Sequence, residues 1–557
     1  MDISLLIKLD AASELPLHRQ LYQQIRAAIL TGRLKPQTRL PASRQLAKTL
    51  AVSRTTVIQS YDQLISEGYL QTKLGAGTFV CSQIPDNLLL TPDRPRREDL
   101  SVEPSASKRF RQASLGLTAP VDLQDRLSSY GRRLLNTADY KPEIDCSLSF
   151  RYGLPDLSLF PWTQWRRLLN RQAASGKDWM GYGADPMGHE GLRQEIAAYM
   201  SDVRAVRCSS SQILITGGTQ QALSLISQVL MDVGEAIAFE DPGYLSAKRI
   251  FSARGAVILP VPVDDSGIKI DGPNGLAEKS VDKAFPQPHL VYVTPSHQFP
   301  LGVLMPLSRR LALLRWAKAN KALIVEDDYD SEFRYSGSPI PALQGLDDSG
   351  CVLYVGTFSK VMFPGLRLGY IVLPPTLIDV FRRAKWLCDR QCSLLEQAAL
   401  AEFIQSGSLA AHIRRMRTVY ERRRCLLIEA LRQAVPDVVI PGDASGLHIL
   451  ARWQCRNVDR DRNACLNAYL NAYLLERSLI RRAKEQDVGL FSAWPHYWRS
   501  RQPPSNQNNQ TNQTSTQAPL DSAVEAANCE LIFGFGNITE GDIESAIARV
   551  RPFFQAR

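Results

Sequence analysis

The 557-residue sequence predicts a multidomain chain: an N-terminal α+β winged helix-turn-helix, then an α/β domain on a largely parallel sheet, ending in a smaller α+β C-terminal subdomain. Three observations carry this reading. Short helical patterns and a glycine-tipped strand pair fill the first eighty residues, a Pro-, Arg- and Ser-rich stretch follows, and beyond it apolar strand-like runs alternate with helical patterns. With 44% apolar residues the chain can bury large cores, and its length exceeds one ordinary domain.

The first unit is expected over residues 12–80. "PLHRQLYQQIRAAILT" places Leu17, Leu21, Ile25 and Ile29 on one helical stripe, and "GRLKP" ends the helix on a glycine before a proline. "LPASRQLAKTLAV" offers a start signal at Ser43 followed by apolar Leu46, Leu50 and Val52. "SRTTVIQSYDQLISEGYL" starts again at Ser53 and repeats Val57, Tyr61 and Leu64. "YLQTKLGAGTFVCS" then reads as a two-stranded wing with glycines at its tip.

Residues 82–145, including "TPDRPRREDLSVEPSASKRFRQAS", lack periodicity and are expected to be a linker. In 146–557 the runs "QILIT", "EAIAFE", "AVILPVPV", "HLVYVT", "ALIVEDD", "VLYVGT" and "LGYIVLP" predict strands alternating with helices, whose ligand sites fall beyond the strands' carboxyl ends. Residues 395–557, with long helices, a "GLHILARW" strand and a final "TEGDIESAIARVRPFF" helix, form the predicted smaller subdomain. Within it the polar, low-complexity stretch 500–522 is expected to be a loop insertion.

Charge and cysteine usage narrow the function classes. Residues 1–80 hold ten Lys/Arg against five Asp/Glu, so half of the chain's net +10 sits in about a seventh of its length, which points to an anionic partner for this segment. Ten cysteines stand without C-x-x-C or zinc spacing, Cys388 and Cys392 being the nearest approach, so neither a disulfide framework nor a metal site is indicated. No stretch suits a membrane span or a secretory leader, and a soluble, cytoplasmic protein is expected.

Three strand ends carry unusual chemistry. "ILITGGTQQALSL" runs from a strand through Gly217 and Gly218 into a helix near Thr219, where backbone N–H groups and a hydroxyl could meet a phosphate; a plain tight turn is the alternative. "ALIVEDDYDSEFRY" ends an apolar strand in Glu326, Asp327 and Asp328, with Tyr329 next. A solvated acidic loop or a divalent-metal cluster are the other readings, and the latter leaves the tyrosine without a role. "VGTFSKVMFPGLRLGY" sets Lys360 after a strand and Arg367 seven positions on. A lysine in a partly apolar pocket loses its charge readily and becomes a Schiff-base nucleophile, the role such residues fill with pyridoxal phosphate. A buried carboxylate then keeps the pyridine nitrogen protonated, a tyrosine hydroxyl bonds O3′, and arginine, threonine and backbone N–H groups neutralise the phosphate.

These motifs, with "LPASRQLAKTLAVSRTTVIQSYDQLISEGYL", "YGLPDLSLFP", "GYGADPMGHEGLRQEIAAYM", "EDPGY" and "VTPSHQFPLG", resemble the MocR subfamily of GntR-type bacterial regulators over nearly the whole chain except the linker and 500–522. The resemblance implies a winged helix-turn-helix fused to a fold-type I, class I/II aminotransferase-like domain that binds pyridoxal 5′-phosphate. It implies that Lys360 forms the Schiff base, that Asp327 meets the pyridine nitrogen, and that Tyr329 meets O3′. Gly218, Thr219, Gln220, Ser359 and Arg367 match the phosphate cup. Tyr244 matches the residue stacked on the cofactor ring, a role an aromatic face fills well, with core packing as the alternative. Tyr182 matches a tyrosine reaching a phosphate across a dimer interface, so a homodimer is implied. His297 and Gln298 lie beside the family's site, but Phe299 stands where the enzymes have an asparagine, which favours holding a ligand over turning it over.

In the head, the second helix of the turn is expected in the major groove, offering Ser53, Arg54, Thr55 and Thr56 to base edges or phosphates. Arg44, Lys73 and the wing glycines Gly75 and Gly77 suit backbone contacts, although any one of these charges reads equally as solvated surface.

The expected function is a pyridoxal-phosphate-dependent transcriptional regulator that binds operator DNA and senses an amine or amino-acid-type effector through external aldimine formation. The alternatives are an active aminotransferase carrying a DNA-binding head, or a cofactor-free dimerisation scaffold. The carboxylate-gripping arginines usual in the resembling family are missing: "LIFGFG" puts Ile532 at one place, and Ser246, with Lys248 two residues on, stands at the other. Arg481 or Arg482, or an effector without a carboxylate, would answer the gap.

Overall fold

A computed structural model describes residues 7–10, 13, 15–73, 76–82, 126–135, 137, 146–176, 181, 185–272, 275–281, 286–337, 340–442, 444–454, 464–498 and 528–555. The chain divides into two compact units, Met1–Leu117 and Thr118–Arg557.

In the first unit α1 (Leu17–Leu30), α2 (Ser43–Thr49) and α3 (Arg54–Ser66) precede a hairpin of β1 (Leu70–Lys73) and β2 (Gly77–Val80). The stripe read from the sequence is the buried one: Leu21, Ile25 and Ile29 pack with Leu46, Val57, Leu64 and Val80. Ser53 caps α3 through its hydroxyl, which accepts from the Thr56 N–H at 3.1 Å. Ser43 does not cap α2; it is the first helical residue, and Ala42 holds the cap position with no side-chain bond. The hairpin pairs Leu70 with Val80 and Lys73 with Gly77, and Arg39 bridges to Phe79 on the other side of β2.

The second unit begins, among described helices, with α4 (Ser129–Leu135), a helical turn inside the stretch read as linker. Helices α5 (Trp162–Ser175), α6 (Glu190–Arg204), α7 (Thr219–Leu230), α8 (Leu245–Arg254), α9 (Leu276–Val281), α10 (Leu307–Asn320) and α11 (Leu343–Leu346) follow. The C-terminal part adds α12 (Ile378–Cys388), α13 (Leu394–Gln405), α14 (Ser408–Ala434), α15 (Ala464–Glu485) and α16 (Glu540–Gln555).

A short β3 (Leu148–Ser149) precedes the main sheet of β4 (Ile213–Thr216), β5 (Ala236–Asp241), β6 (Val257–Asp264), β7 (Gly267–Ile268), β8 (Pro288–Val293), β9 (Leu323–Asp328), β10 (Val352–Thr357) and β11 (Gly369–Val372). Their spatial order is β4-β11-β10-β9-β8-β5-β6-β7. Pairs β5/β6, β5/β8, β8/β9 and β9/β10 are parallel, whereas β11 runs antiparallel to β10 and β4. Strands β4, β10, β9, β8, β5 and β6 therefore share one direction, and their carboxyl ends lie along one edge. Side chains of β4, β10 and β11 are buried throughout, the pattern of strands covered on both faces.

Beyond α14, β12 (His448–Gln454), β14 (Phe491–Ser492) and β15 (Asn528–Gly534) make a second sheet in the order β12-β15-β14, while β13 (Val488–Gly489) pairs with β3. The core under β12 and β15 continues into α14 and α16 through Tyr420, Leu427, Ile449, Phe533 and Ile547. The expected insertion at 500–522 and most of the expected linker lie outside the described residues.

Candidate functional site

The shared carboxyl edge of the main sheet gathers most of the residues singled out from the sequence. The strand alternation of β9 sorts its acidic triplet, because successive side chains point to opposite faces. Glu326 accepts from the Leu343 and Gln344 N–H groups at the start of α11, each at 2.9 Å, and lies 3.7 Å from the Arg310 guanidinium. Asp328 accepts from Arg204 Nε at 3.0 Å and the Tyr354 hydroxyl at 2.7 Å. Both flanking carboxylates are thus spent on holding helices and strands together. Asp327, on the other face, takes one bond, from the Tyr292 hydroxyl to Oδ2 at 2.6 Å, and its buried Oδ1 has no partner. Burial pushes the Asp327 carboxyl up to about 7.

Lys360 follows β10 and is half-buried; its Nζ donates to the Gly153 carbonyl at 2.6 Å. Burial lowers the pKa of this amine, against the pull of Asp330 and Asp327, while the Arg151 charge adds to the lowering. Gly153, at φ +75°, leaves the amine its room: a Cβ there would sit 3.0 Å from Nζ.

Gly218 caps α7 at φ +89°, and a Cβ on it would lie 3.5 Å from the Arg367 guanidinium. Arg367 donates to the Gly217 carbonyl at 2.8 Å, so its exposed fork is held over the start of α7, where Thr219 and Gln220 open the helix. A helix start offers N–H groups that have no intrahelical acceptor. Ser359 is fixed by Thr357: the Thr357 hydroxyl lies 3.1 Å from Ser359 Oγ and accepts from the Ser359 N–H at 3.2 Å. Tyr244 caps α8, and its hydroxyl accepts from Gln220 Nε2 at 3.3 Å. Tyr182 lies outside the described residues.

Tyr329 turns its hydroxyl onto His297, donating to the carbonyl at 2.8 Å with Nδ1 at 3.1 Å. His297 Nδ1 also lies 3.0 Å from Asp330 Oδ2, and that carboxylate accepts from the Leu447 N–H at 3.2 Å. His448 stands against His297 with ring centroids 4.6 Å apart. Sequence reading missed this Asp330–His297–His448 group. Asp330 was visible two residues beyond the acidic triplet, but the approach of His448, 151 positions after His297, left no local trace.

Beside Tyr244 the site is walled by aromatic rings, with the Arg151 charge near enough to act on Lys360. Phe299 lies 5.8 Å from Tyr244, 5.6 Å from Tyr152 and 4.8 Å from His496, between ring centroids. Burial lowers His496 to about 3 and His448 well below the usual imidazole range, so both rings are neutral at pH 7. Ile532 is fully buried opposite Leu450 and Phe491 in the second sheet, and Ser246 is half-buried on α8. Lys248 is engaged elsewhere, donating to the His496 carbonyl at 2.7 Å, and Arg482 lies over the Phe553 ring at 4.3 Å. Exposed Arg481 makes no hydrogen bond or ion pair among the described residues.

In the first unit Ser53, Arg54 and Thr55 are exposed at the start of α3, Thr56 is half-buried, and Arg44 is exposed on α2. Lys73 donates to Gln37 Oε1 at 3.1 Å and lies over the Phe79 ring. Gly77 takes φ +110°, and a Cβ there would meet Arg39 Nε at 3.2 Å; Gly75 lies outside the described residues. Arg39 is an exposed cation beside the wing that the sequence reading passed over.

Two family models match this chain: "Bacterial regulatory proteins, gntR family" over residues 17–80, and "Aminotransferase class I and II" over 154–477. The probable rhizopine catabolism regulatory protein MocR of Rhizobium meliloti is 39% identical over 450 residues, 80% of this chain and 84% of the relative. The chain is a GntR-type transcriptional regulator of the MocR group. The pyridoxine biosynthesis regulator PdxR of Corynebacterium glutamicum is 32% identical over 77% of this chain and 82% of its own length. The second unit has the fold of aminotransferases: Pyrococcus horikoshii kynurenine aminotransferase superposes with a TM-score of 0.63 at 25% identity, covering 78% of this chain and 98% of that one. An N-terminal GntR domain implies operator binding, and a class I/II aminotransferase domain implies dependence on pyridoxal phosphate. No described helix of this MocR-type chain is long and apolar enough to cross a membrane.

Proposed function

We propose that this regulator binds operator DNA through α3 and the wing, holds pyridoxal 5′-phosphate on Lys360, and reads an amine or amino-acid-type effector at that site. The observation that carries the reading is Asp327: a buried carboxylate keeps one oxygen without a partner beside a lysine amine whose charge burial disfavours. A protonated ring nitrogen answers both the missing hydrogen bond and the desolvated charge. When bound, the cofactor supplies an electrophilic carbon that amines attack. Lys360 presents the amine for its attachment, Asp327 accepts the ring N–H, and Tyr244 offers a flat face. The opening of α7, with Thr219 and Gln220, joins Ser359 and Arg367 in neutralising a phosphate. Gly218, lacking a Cβ under the Arg367 fork, leaves the cradle such a group needs.

The effector side supports a ligand without a bidentate carboxylate grip. Phe299, Tyr152, Ile532 and two neutral imidazoles line it, and none of these offers the planar fork that binds a carboxylate through two hydrogen bonds; Arg151, whose charge reaches Lys360, is already engaged within the protein. Slow or absent turnover of common amino acids follows. A homodimer, as the resemblance implies, belongs to the same reading. Signalling then requires the effector to bind two states of the protein unequally, by a coupling of about 1–3 kcal/mol.

The test is the absorbance spectrum of the purified protein followed by titration with common amino acids and simple amines, with 2-oxo acid formation measured in parallel. A visible or near-ultraviolet band that amines shift without sustained 2-oxo acid production is expected. Rapid turnover of alanine, aspartate or glutamate overturns the sensor reading in favour of an aminotransferase with a DNA-binding head.

A further inference from the structure

A second cavity lies in the large unit, separate from Lys360, Asp327, Tyr329 and Arg367. It opens between α4, α7 and α8 with a volume of about 350 Å³, within the range of small-molecule pockets. Tyr130 and Leu134 come from α4, Ser224 from α7, and Ser246, Arg249 and Arg254 from α8. Gln220 and Ser246 belong to the wall it shares with the first site.

The charge of the cleft is one-sided. Arg249 and Arg254 line it, and among the described residues no carboxylate does. Both are half-buried, and among the described residues neither guanidinium makes an ion pair or a hydrogen bond. A guanidinium drawn partly out of water without a counter-ion favours an incoming anion, and its planar fork matches a carboxylate or phosphate. Hydroxyls of Ser224 and Tyr130 add polar contacts, while Leu134 and Ile250 supply an apolar side.

The roof of the cleft is weakly attached. Arg133 of α4 donates from Nε to the Ala253 carbonyl at 2.7 Å and from Nη2 to the Arg254 carbonyl at 2.8 Å, capping the last turn of α8 with a cation. Otherwise α4 buries no residue: Tyr130, Leu134 and Leu135 are all exposed, and seven residues are too few to hold a helix alone. In chain order α4 lies between the winged head and the sheet, and α8 runs from Tyr244 at the first site to the carbonyls that Arg133 holds.

We propose that this cleft binds a small organic anion, a carboxylate or phosphate monoester with an apolar body, which clamps α4 against α8. The proposal is independent of any cofactor on Lys360. Bound between Arg249, Arg254 and Tyr130, the anion adds ties between two helices whose hydrogen bonds, among the described residues, come from one arginine. Its binding therefore favours the docked form of α4 by as much as it prefers that form.

The test uses the full chain as purified, at fixed ionic strength, with benzoate, succinate and glycerol 3-phosphate as probes. Calorimetry measures binding, and trypsin cleavage after Arg132 and Arg133 reports the docking of α4. Saturable binding of at least one probe, a threefold or greater slowing of that cleavage, and tenfold weaker binding in both Arg249→Ala and Arg254→Ala are expected. Which probe binds separates carboxylate from phosphate sources. Arg254→Lys keeps the charge but loses the fork and should fall between the wild type and the alanine variant. Absence of saturable binding for all three probes overturns the site, as does binding that survives both alanine substitutions. Binding that shifts the visible absorbance band also overturns it, by placing the anion in the first site. Loss of that band in the protein without any probe refutes the cofactor reading and leaves this proposal standing.

Discussion

Replacing Asp327 by asparagine should strengthen the cofactor-free fold at neutral pH and weaken its hold on the cofactor. The carboxyl is buried, receives one hydrogen bond from Tyr292, and is pushed from its ordinary 3.8 up to about 7. For a carboxyl whose folded pKa lies above the unfolded one, the stabilising contribution is complete below the unfolded value and is lost as pH rises through the folded value. Between about pH 5 and about pH 7 the unfolded chain is ionised at this position while the folded one is still mostly neutral. The wild type therefore loses about 1.4 kcal/mol per pH unit relative to Asp327→Asn, about 3 kcal/mol across the window, and the difference levels off above about pH 8. Asparagine keeps an acceptor for Tyr292 but brings an unpaired NH₂, an offset of about 1–3 kcal/mol that does not change with pH. All eight tryptophans lie beyond residue 117, so urea unfolding of the cofactor-free chain followed by tryptophan fluorescence reads the large unit alone. Titration of Glu240, also raised to about 7, and of Glu332, raised to about 8, is common to both proteins and cancels in the difference. Parallel stability curves from about pH 5 to about pH 8 would refute the raised carboxyl. Undiminished cofactor affinity in the variant would remove Asp327 from the ring nitrogen.

Lys360→Ala should abolish the visible absorbance and the borohydride-fixable label while far-ultraviolet circular dichroism stays that of the wild type; a label that persists sinks the assignment. Gly446→Ala should cost about 2–4 kcal/mol, since the position takes φ +82° and a Cβ would stand 2.0 Å from His297 Cε1, and an unchanged urea midpoint contradicts that geometry. In the head, Arg54→Ala should reduce operator affinity by about 1–3 kcal/mol and affinity for random DNA by less, as measured by fluorescence anisotropy at one salt concentration. Equal losses on the two DNAs reassign Arg54 to the phosphate backbone.

The longer strands of the main sheet were legible because most are apolar runs closed by glycine, proline or a polar cluster, while the two-residue β3, β7, β13 and β14 are too short to leave such a run. The start of α7 could be placed near Thr219, because a glycine pair separates the strand from the helical pattern, and Gly218 there takes φ +89°. The start of α2 is one residue off the sequence reading: Ser43 is the better capping residue, yet Ala42 holds the cap position and no side-chain bond forms there. Helix α4 escaped notice because it buries nothing: its seven residues carry no periodic apolar stripe, and only Arg133 ties it down. Within the site, the acidic triplet, the lysine and the glycine pair could be found one strand at a time. The meeting of His297, Asp330 and His448 depends on the loop after β8, the end of β9 and the start of β12 converging, and such long-range closure has no signature in local spacing.

The two carboxylates that act on the Lys360 amine differ in how much of each remains free, and that difference divides their roles. Asp330 is closed: His297 Nδ1 stands on its oxygens and the Leu447 N–H donates to one of them. It can raise the charge preference of Lys360 only at a distance, as a fixed negative neighbour. Asp327 is open at Oδ1, so it can act on Lys360 in the empty site and also accept a new donor. Above about pH 7, where Asp327 is ionised, a ligand with a cationic N–H aimed at that oxygen offsets its charge and removes one of the two pulls that keep the lysine charged. Burial and the Arg151 charge then lower the lysine against Asp330 alone, so filling the Asp327 position makes the Lys360 amine more nucleophilic. Phe299 and the neutral rings of His448 and His496 leave that balance undisturbed, because they add no charge of their own.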